Sequence, residues 1–403
     1  MKKVKLGDIA TIYNGNSINK AVKKEKYMKD VPGWNYIGTK DVGFDGNITY
    51  NTGVIIPYSE NGFRLAPSGS VFVCSEGGSA GKKTAIVKEE VCFGNKLFAI
   101  VNEKKLFNEK YIYYYTRYEK FREQFKILAT SLMGGISAKN FSKIEIPLCD
   151  LDEQEHIVSK IEELFSELDA GVETLKKTEE KLSRYRQAVL ETSFSLNDIK
   201  KVELGSIIEK PRYGSSKKCD YKNDDNSTMV YRIPNIDIGT GYISKDDIKY
   251  ANFDVDELEG LDLNENDLLL IRSNGSRSLV GRTALIRKCD TNATFAGYLI
   301  RLRLLDSSYI SAKYLYYYLE SHSARLYIEK TAKSTSGVNN INAEEIKKIE
   351  LPWCDKNRQT EIVKIIDEKL SACSSIEETI DNALRQAEAM RQSILKEAFE
   401  GRL

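Results

Sequence analysis

Residues able to carry catalytic chemistry are few in this sequence and do not form known catalytic motifs. The two histidines, His156 and His322, lie in different segments, so a histidine triad or a multi-histidine metal site lacks parts. The stretch GGSAGKKT (77–84) misses the phosphate-loop pattern by one residue, because Lys82 replaces the second glycine. Its counterpart NGSRSLVGRT (274–283) has Arg282 in place of the lysine. Both stretches are interpreted as Gly/Ser loops between strands.

The sequence also lacks the motifs of two classes of DNA-modifying enzyme. An adenine methyltransferase needs an Asn/Asp-Pro-Pro-aromatic tetrapeptide and a glycine-rich cofactor loop, and the sequence contains neither. A nuclease of the P-D…(D/E)-x-K type needs a Pro-Asp dipeptide, which is absent too, and the short match at Glu103–Lys105 recurs by chance in a lysine-rich chain. We therefore predict no catalytic activity and no metal site. A standalone nuclease would instead require metal-dependent cleavage by the isolated chain.

Two sets of loops are rich in side chains that contact nucleic acids. Arg, Asn, Ser and Lys read base edges or neutralise phosphates. A single lysine here is more often a solvated surface charge, whereas clusters at corresponding places in two halves of the chain favour DNA binding. The candidate DNA-binding residues are Asn14, Asn16, Ser17, Lys20, Lys23, Lys24, Lys26, Ser79, Lys82 and Lys83 in the first half, and Arg212, Tyr213, Ser215, Ser216, Lys217, Lys218, Arg272, Asn274, Ser276, Arg277 and Ser278 in the second.

The sequence segments that carry these loops occur in two similar copies along the chain, which indicates an internal repeat. VKLGDIATIYNG (4–15) corresponds to VELGSIIEKPRYG (202–214), and KYIYYYTRY (110–118) corresponds to KYLYYYLES (313–321). The stretch 144–162 matches 349–367 at a constant offset of 205, with 9 of 19 residues identical. The repeat predicts two similar globular segments related by a pseudo-twofold axis.

Each globular segment is predicted to be α/β. Short apolar runs such as SVFVC (70–74) and DLLLIR (267–272), separated by Gly/Asn turns, are typical of strands. A tyrosine-rich helix is expected near residues 110–127 and again near 311–329. Its Tyr111, Tyr114 and Tyr115 could stack on bases, but aromatic residues at helical spacing favour a place in the core.

Long helices are predicted after Pro147 and Pro352, where the spacing of apolar residues changes to about 3.5. Asp150 and Asp355 are the expected N-caps, and Gly401 with Arg402 the expected stop of the second helix. A single heptad helix often dimerises with another chain, but two matched copies favour an intramolecular antiparallel coiled coil. The predicted seam residues are Ile157, Ile161, Leu164, Leu168, Leu175, Leu182, Tyr185 and Val189 in the first helix, and Ile362, Ile366, Cys373, Ile376, Ile380, Met390 and Ile394 in the second.

Two expectations follow from these helices. About forty residues form a rod of roughly 60 Å, which would hold the globular segments apart. Pseudo-twofold packing would also bring residues 401–403 close to residues 4–7.

Composition limits the class of protein and its compartment. The chain has 403 residues, of which 30% are charged and 41% hydrophobic, which fits a folded protein of two or three domains. The net charge of +1 hides an asymmetry, because residues 1–150 carry 23 basic and 15 acidic groups whereas residues 199–355 carry 23 of each. Seven scattered cysteines without a C-x-x-C pair fit a reducing cytoplasm. No membrane span or secretory signal is expected.

The whole chain resembles the specificity (S) subunit of type I restriction-modification systems. IPLCDLDEQEHIV (146–158) and its repeat LPWCDKNRQTEIV (351–363) are similar to the family's proline-then-EEQ-x-x-IV motif, and RQSILKEAFEGRL (391–403) is very like its C-terminal ending. Two departures are small. The first helix ends RQAVLETSFSL (186–196) without a glycine, and Asn357-Arg358 replaces the acidic pair before Gln359.

The resemblance implies a fold of two α/β (α+β) target-recognition domains separated by two long antiparallel helices. The implied segments are a first domain at 1–150, a central spacer helix at 151–198, a second domain at 199–355 and a C-terminal spacer helix at 356–403. Each domain would read one half of a split, asymmetric target in double-stranded DNA, and the helices would set the gap.

The resemblance also implies partners. The chain would have no catalysis and no cofactor of its own. It would direct two modification (M) subunits, which methylate adenine N6 with S-adenosylmethionine, and restriction subunits that use ATP and magnesium. The alternative from another class is a two-headed scaffold that binds proteins, and salt dependence of duplex binding separates the two.

Overall fold

The computed structural model describes residues 1–28, 31–129, 135–195, 200–224, 226–307, 309–335 and 337–403. The chain divides into two compact units: unit 1 is formed by residues 1–175 and 381–403, and unit 2 by residues 176–380. The expected boundary between residues 198 and 199, and Leu196 of the first helix ending, lie outside the described residues. None of the helices in the described ranges is both long and apolar enough to cross a membrane.

Unit 1 is built on two four-stranded sheets and one two-stranded sheet, in the orders β2-β9-β6-β7, β4-β3-β8-β5 and β1-β10. Its strands are β1 (Lys2–Lys5), β2 (Thr11–Asn14), β3 (Gly33–Ile37), β4 (Ile55–Pro57), β5 (Leu65–Ala66), β6 (Val71–Cys74), β7 (Thr84–Ile86), β8 (Val91–Phe93), β9 (Leu97–Val101) and β10 (Glu145–Leu148). Its short helices are α1 (Leu6–Ile9), α2 (Lys20–Lys26), α3 (Glu109–Arg117), α4 (Glu119–Leu128) and α5 (Ala138–Phe141).

The long helix α6 (Leu151–Phe194) is a single helix of 44 residues. Residues 151–175 of α6 belong to unit 1 and the rest to unit 2.

Unit 2 repeats this arrangement with sheets β12-β21-β17-β19-β15-β14, β16-β13-β20, β18-β23-β22 and β11-β24. Its strands are β11 (Lys201–Glu203), β12 (Arg212–Tyr213), β13 (Ser227–Tyr231), β14 (Ile236–Asp237), β15 (Tyr242–Ile243), β16 (Lys249–Asn252), β17 (Leu268–Ile271), β18 (Ser273–Asn274), β19 (Thr283–Leu285), β20 (Thr294–Phe295), β21 (Leu299–Leu302), β22 (Lys333–Thr335), β23 (Val338–Asn340) and β24 (Glu350–Pro352). Its short helices are α7 (Ala312–Leu319), α8 (His322–Thr331) and α9 (Ala343–Lys347). The long helix α10 (Lys356–Phe399), of 44 residues, has residues 356–380 in unit 2 and residues 381–399 in unit 1.

The strand pairing confirms the predicted repeat. β9 pairs antiparallel with β2 and β6 in unit 1, as β21 pairs with β12 and β17 in unit 2. One parallel pair, β3 with β8, likewise corresponds to β13 with β20. The predicted strands at 70–74 and 267–272 are β6 and β17, and their residues are fully buried because neighbouring strands and helices cover both faces. Each unit is therefore a mixed, mostly antiparallel α+β fold.

The tyrosine-rich helices differ from the prediction, because each is broken into two. α3 and α4 meet at Tyr118, which has extended backbone (φ −74°, ψ 144°). In unit 2 the break lies at Glu320 and Ser321, where the Ser321 side chain accepts a hydrogen bond from Ala324 N and caps α8. A cap of this kind starts a new helix direction.

Tyrosines in these helices belong to the core, as their spacing predicted. Tyr111 and Tyr115 are 0% and 4% exposed, and Tyr114 is partly buried. The hydroxyl groups of Tyr111 and Tyr115 donate to the backbone of the strand before the long helix, to Pro147 O (2.8 Å) and Glu145 O (2.8 Å) respectively. That of Tyr114 donates to the Glu162 carboxylate of α6 (3.3 Å). Burial raises the pKa of Tyr115 to about 12. These rings are unavailable for base stacking because they fix the fold.

The predicted ends of the long helices are confirmed. Asp150 Oδ1 accepts from Glu153 N (2.9 Å) and Asp355 Oδ1 accepts from Arg358 N (3.0 Å). Gly401 has φ +74°, and Arg402 N donates to Glu397 O (2.9 Å), which closes α10 with a left-handed residue. The chain end lies near its start, since a Cβ on Gly401 would be 3.7 Å from Met1 Cε.

Within each unit the long helices pack antiparallel. Ile157 and Ile161 of α6 share a core cluster with Leu395 and Phe399 of α10 in unit 1. In unit 2 the cluster contains Val189, Leu190 and Phe194 with Ile362 and Ile366. Among the other expected seam residues, Leu182, Cys373 and Ile380 are buried, and Leu164, Leu168, Leu175 and Ile394 are partly buried.

Three expected seam residues were placed wrongly: Tyr185, Ile376 and Met390 are 48%, 45% and 55% exposed. The residue after each of them, Arg186, Glu377 or Arg391, is less exposed and forms the contact between the helices. Arg186 donates to both carboxylate oxygens of Glu377 (2.9 and 2.7 Å) and to Ser374, and Arg391 pairs with Asp169. These three seam positions are therefore polar, and the search for apolar residues assigned the seam to the residue before each of them.

A buried glutamine joins each long helix to the globular part of its unit. Gln154 is 0% exposed; its Oε1 accepts from Asn108 N (2.9 Å) and its Nε2 donates to Cys149 O (2.8 Å). Gln359 repeats both contacts, with Ser311 N (2.8 Å) and Cys354 O (2.8 Å). Asn108 and Ser311 are the N-caps of α3 and α7. One buried side chain thus satisfies a backbone donor and a backbone acceptor on two different elements.

Replacing Gln154 with alanine should destabilise unit 1 by about 1–3 kcal/mol, because Asn108 N–H and Cys149 C=O would both lose their hydrogen-bond partner at a partly buried site. The chain has two tryptophans, Trp34 in unit 1 and Trp353 in unit 2. Urea unfolding in a Trp353→Phe background, followed by Trp34 fluorescence, measures the effect. The matched control is Glu155→Ala at the exposed neighbouring position, which should change stability by less than about 0.5 kcal/mol. Equal unfolding free energies for the two variants would contradict the role of Gln154.

Candidate nucleic-acid interface

The loop after β2 is held by the first two candidate residues. Asn14 Nδ2 donates to Asn95 O (2.8 Å), and Asn16 Nδ2 donates to Gly62 O (3.1 Å) while its Oδ1 accepts from Arg64 N (2.7 Å). Gly15 between them crosses the end of β8 so closely that a Cβ would lie 1.9 Å from Phe93 O. Both asparagines therefore shape the loop, and Ser17 is the exposed residue at its tip.

Six lysines of the candidate set, with Lys40, form a basic surface in unit 1. Lys20, Lys24 and Lys26 of α2 are exposed, and within the described ranges none of them forms an ion pair or a side-chain hydrogen bond. We call the set the lysine surface; its members are Lys20, Lys23, Lys24, Lys26, Lys40, Lys82 and Lys83.

Segment 36–44 joins the two lysine-bearing elements. Lys23 Nζ lies 4.5 Å from the centroid of the Tyr36 ring. Lys83 Nζ donates to Thr39 O (3.1 Å) and lies 5.1 Å from the centroid of the exposed Phe44 ring. Burial, with a smaller contribution from nearby Lys40, lowers the pKa of Lys23. The lysines of α2 and of the loop between β6 and β7 therefore lie around segment 36–44. Together they form a positively charged surface that favours binding of a polyanion.

The structure confirms the prediction that residues 77–84 form a Gly/Ser loop between two strands. It joins β6 to β7, and Ser79 O accepts from Lys82 N (3.0 Å) and Lys83 N (3.3 Å), which turns the chain back. Residues 274–283 join β18 to β19 in the same way.

In unit 2 the candidates Arg212, Tyr213 and Arg272 lie near β12, and we call them the arginine–tyrosine cluster. The Arg272 guanidinium carbon lies 4.7 Å from the centroid of the Tyr213 ring, and Tyr213 OH accepts from Ala343 N (3.0 Å). Arg212 Nη2 donates to Glu259 O (2.8 Å). Gly214 lets this loop cross the end of β20, since a Cβ would lie 2.4 Å from Phe295 O. A planar guanidinium held on an aromatic face is suited to base-edge recognition.

Two cavities lie on either side of this loop. One of about 880 Å³ is lined by Tyr213, Ser216 and Asn342, among others. The other, of about 670 Å³, is lined by Ser215, Lys218 and Tyr298. Lys217 is less available than expected, because it pairs with Glu257 (2.5 Å).

The remaining candidates occupy the tip of β18. Asn274 Oδ1 accepts from Ser276 N (2.8 Å), and the hydroxyls of Ser276 and Ser278 lie 2.9 Å apart. Arg277 is exposed and forms no ion pair among the described residues. The hairpin β22–β23 supports this tip, as Asn339 Nδ2 donates to Gly275 O (3.0 Å).

Sequence reasoning missed several residues at these sites. Tyr298 is 62% exposed beside the arginine–tyrosine cluster, Lys40 completes the lysine surface, and Arg64 braces the loop of Asn16. The internal repeat could have identified Tyr298. FAGYLI (295–300) corresponds to FGNKLF (93–98), so Tyr298 takes the place of a lysine just before a buried strand.

Within the described part of the chain, no group of three or more His, Cys, Asp or Glu is arranged to hold a metal ion. His156 is exposed on α6.

Relatives of known function are similar along most of the chain. The type I restriction enzyme StySPI specificity subunit of Salmonella potsdam is 28% identical over 345 residues, covering 81% of this chain and 73% of the relative. The EcoKI specificity subunit of Escherichia coli (strain K12) is 28% identical over 349 residues, with the same coverage.

Solved structures share the fold. A chain from a type I R-M system, solved to explain complex assembly and conformational transition, has a TM-score of 0.76 at 16% identity; the match covers 100% of this chain and 98% of that chain. The HsdS subunit of Thermoanaerobacter tengcongensis has a TM-score of 0.51 at 16% identity and coverage of 100% and 97%.

A family model described as the type I restriction modification DNA specificity domain matches residues 1–181 and again residues 197–386. The two matches follow the repeat seen in the strands, the tyrosine helices and the buried glutamines. The chain therefore belongs to the family of type I restriction-modification DNA specificity proteins.

Proposed function

We propose that this chain is the DNA-recognition subunit of a type I restriction-modification complex and binds a bipartite, asymmetric target. The observation that carries the proposal is the presence of two specificity domains in one chain, each with polar and basic loops at corresponding places. Unit 1 presents the lysine surface and unit 2 the arginine–tyrosine cluster. Because the loops differ in sequence, the two half-targets differ too.

Catalysis belongs to the partners in this proposal. The chain contributes no reacting group; two modification subunits transfer a methyl group from S-adenosylmethionine to adenine N6, and restriction subunits use ATP and magnesium. The complex acts on DNA in the cytoplasm. The candidate residues of both units contact the duplex. The lysine surface binds phosphates, and the arginine–tyrosine cluster contacts base edges.

A two-headed protein scaffold is the alternative function. Phosphate contacts release counterions, so duplex binding weakens steeply with salt, whereas a protein adaptor has no such dependence on duplex. The similarity to DNA specificity subunits favours the DNA-binding function.

Exchanging residues 1–150 for the same segment of a relative tests the function directly. The chain would be expressed with its modification subunit in a host without other adenine methylation, and methylated sites would be sequenced. One half of the methylated sequence should change and the other half should stay, because each domain reads its own half. An exchange of 199–355 should give the reciprocal result. A change in both halves, or methylation without any sequence preference, would contradict the proposal.

Shortening both long helices tests whether they set the gap between half-targets. Deleting residues 172–178 together with 377–383 removes seven residues from each helix and preserves the seam register. The rod shortens by about 10 Å, so the spacing should contract by about three base pairs while both half-sequences stay. Deletion from one helix alone breaks the pairing and serves as the control. Unchanged spacing with full methylation would show that the helices do not set the gap.

Replacing Arg272 with lysine should weaken target recognition while the positive charge is kept, because lysine lacks the planar fork that contacts two base acceptors. Affinity of the complex for its target should fall about tenfold to a hundredfold, and methylation should relax at a base pair of one half. Lys288→Gln, at another exposed cation of unit 2, is the matched control and should leave the methylated sequence unchanged. An Arg272→Lys variant with unaltered affinity and sequence would remove Arg272 from the interface.

A further inference from the structure

The two recognition segments carry equal numbers of cations but differ in what surrounds them. Residues 1–150 and 199–355 each contain 23 lysines and arginines, while acidic residues number 15 and 23. The excess positive charge of the protein is therefore concentrated in the first segment.

Ion pairing amplifies this difference. Among the described residues of 1–150, four basic side chains form ion pairs: Lys40, Lys96, Lys110 and Lys120. Among those of 199–355, thirteen do: Lys201, Lys217, Lys222, Arg232, Lys245, Arg282, Arg287, Arg301, Arg303, Lys313, Arg325, Lys333 and Lys347. Most cations of the second segment already face a carboxylate of their own chain.

The contrast holds at the recognition loops themselves. Lys83 contacts a carbonyl and an aromatic ring, but Arg282 in the corresponding loop is paired with Glu320. The position of Lys40 in IGTKD (37–41) is taken by Ile236 in IPNID (233–237). α2 contains one acidic residue, Glu25, among its four lysines, whereas Lys217 is held by Glu257.

These differences have a direct electrostatic consequence. A lysine without a carboxylate neighbour neutralises a phosphate and releases a condensed counterion, which is the origin of salt-dependent affinity. A cation beside a fixed carboxylate gives little net field at the DNA surface, since the carboxylate repels the same phosphate.

We propose that the two halves bind DNA unequally: the lysine surface of unit 1 supplies most of the salt-dependent attachment to the phosphate backbone, and unit 2 contributes mainly base-edge contacts. The inference rests on the proposed DNA-binding function. It makes unit 1 the domain that holds the duplex without regard to sequence, and unit 2 the domain whose contribution depends on its half-target.

The test measures affinity of the complex of this chain with its modification subunits for target and non-target duplexes, between about 50 and about 200 mM salt. The variant Lys20→Gln/Lys24→Gln/Lys26→Gln removes three exposed charges from α2, and glutamine has a helix propensity similar to that of lysine. The slope of log affinity against log salt should flatten by about two to three, and target and non-target affinities should weaken together. Lys82→Gln, on the other loop, should flatten the slope by about one even if the triple variant fails to assemble.

The matched control is Lys217→Gln/Lys222→Gln/Lys333→Gln in unit 2, where each lysine faces a carboxylate: Glu257, Asp224 and Glu345 respectively. It also removes three charges, and it should flatten the slope by less than about one, because the neighbouring carboxylates already cancel most of the field of these cations. An equal or larger flattening with the unit 2 variant would overturn the inference and leave DNA recognition intact. A wild-type complex without salt-dependent duplex binding would instead refute the proposed function itself.

Discussion

The buried glutamine at the start of each long helix is the contact on which the architecture depends. Gln154 and Gln359 connect three elements at once: the strand end before the helix, the helix itself and the N-cap of the tyrosine helix. An amide side chain is suited to this because it donates and accepts at the same time. The position of the long helix relative to the sheets of its own unit is thereby fixed by hydrogen bonds to backbone atoms, which persist when surrounding side chains change.

Tyrosine hydroxyls complete this junction and explain the distribution of aromatic residues. Tyr314 OH donates to Pro352 O (3.0 Å), as Tyr111 does to Pro147 O, and Phe194 or Phe399 packs on the edge of these rings. Aromatic residues are therefore used to build the junction. The loops proposed for recognition have backbones that glycines at close chain crossings and hydrogen-bonding asparagines hold in place, so their exposed side chains can differ between the two units while the surrounding fold stays the same.

The helix pair shows where a periodic pattern is and is not sufficient. The heptad spacing predicted two long helices, and the carboxylates after the prolines predicted their first residues, because caps and periods depend on residues close in sequence. The pattern failed at Tyr185, Ile376 and Met390, since it assumed apolar residues in every seam position. The actual contacts at those turns are Arg186 with Glu377 and Arg391 with Asp169, which no apolar count can identify.

From the sequence by itself came the repeat, the two α+β segments, the long helices with their caps, the core role of the tyrosines and the positions of the polar loops. These features are encoded in local spacing and in the comparison of one half with the other. Tertiary structure decided which asparagines brace a loop, where the tyrosine helices break and which cations are neutralised. Ion pairs such as Arg282 with Glu320 join residues from different elements, so the availability of a charge depends on the folded chain and cannot be read from the number of lysines and arginines.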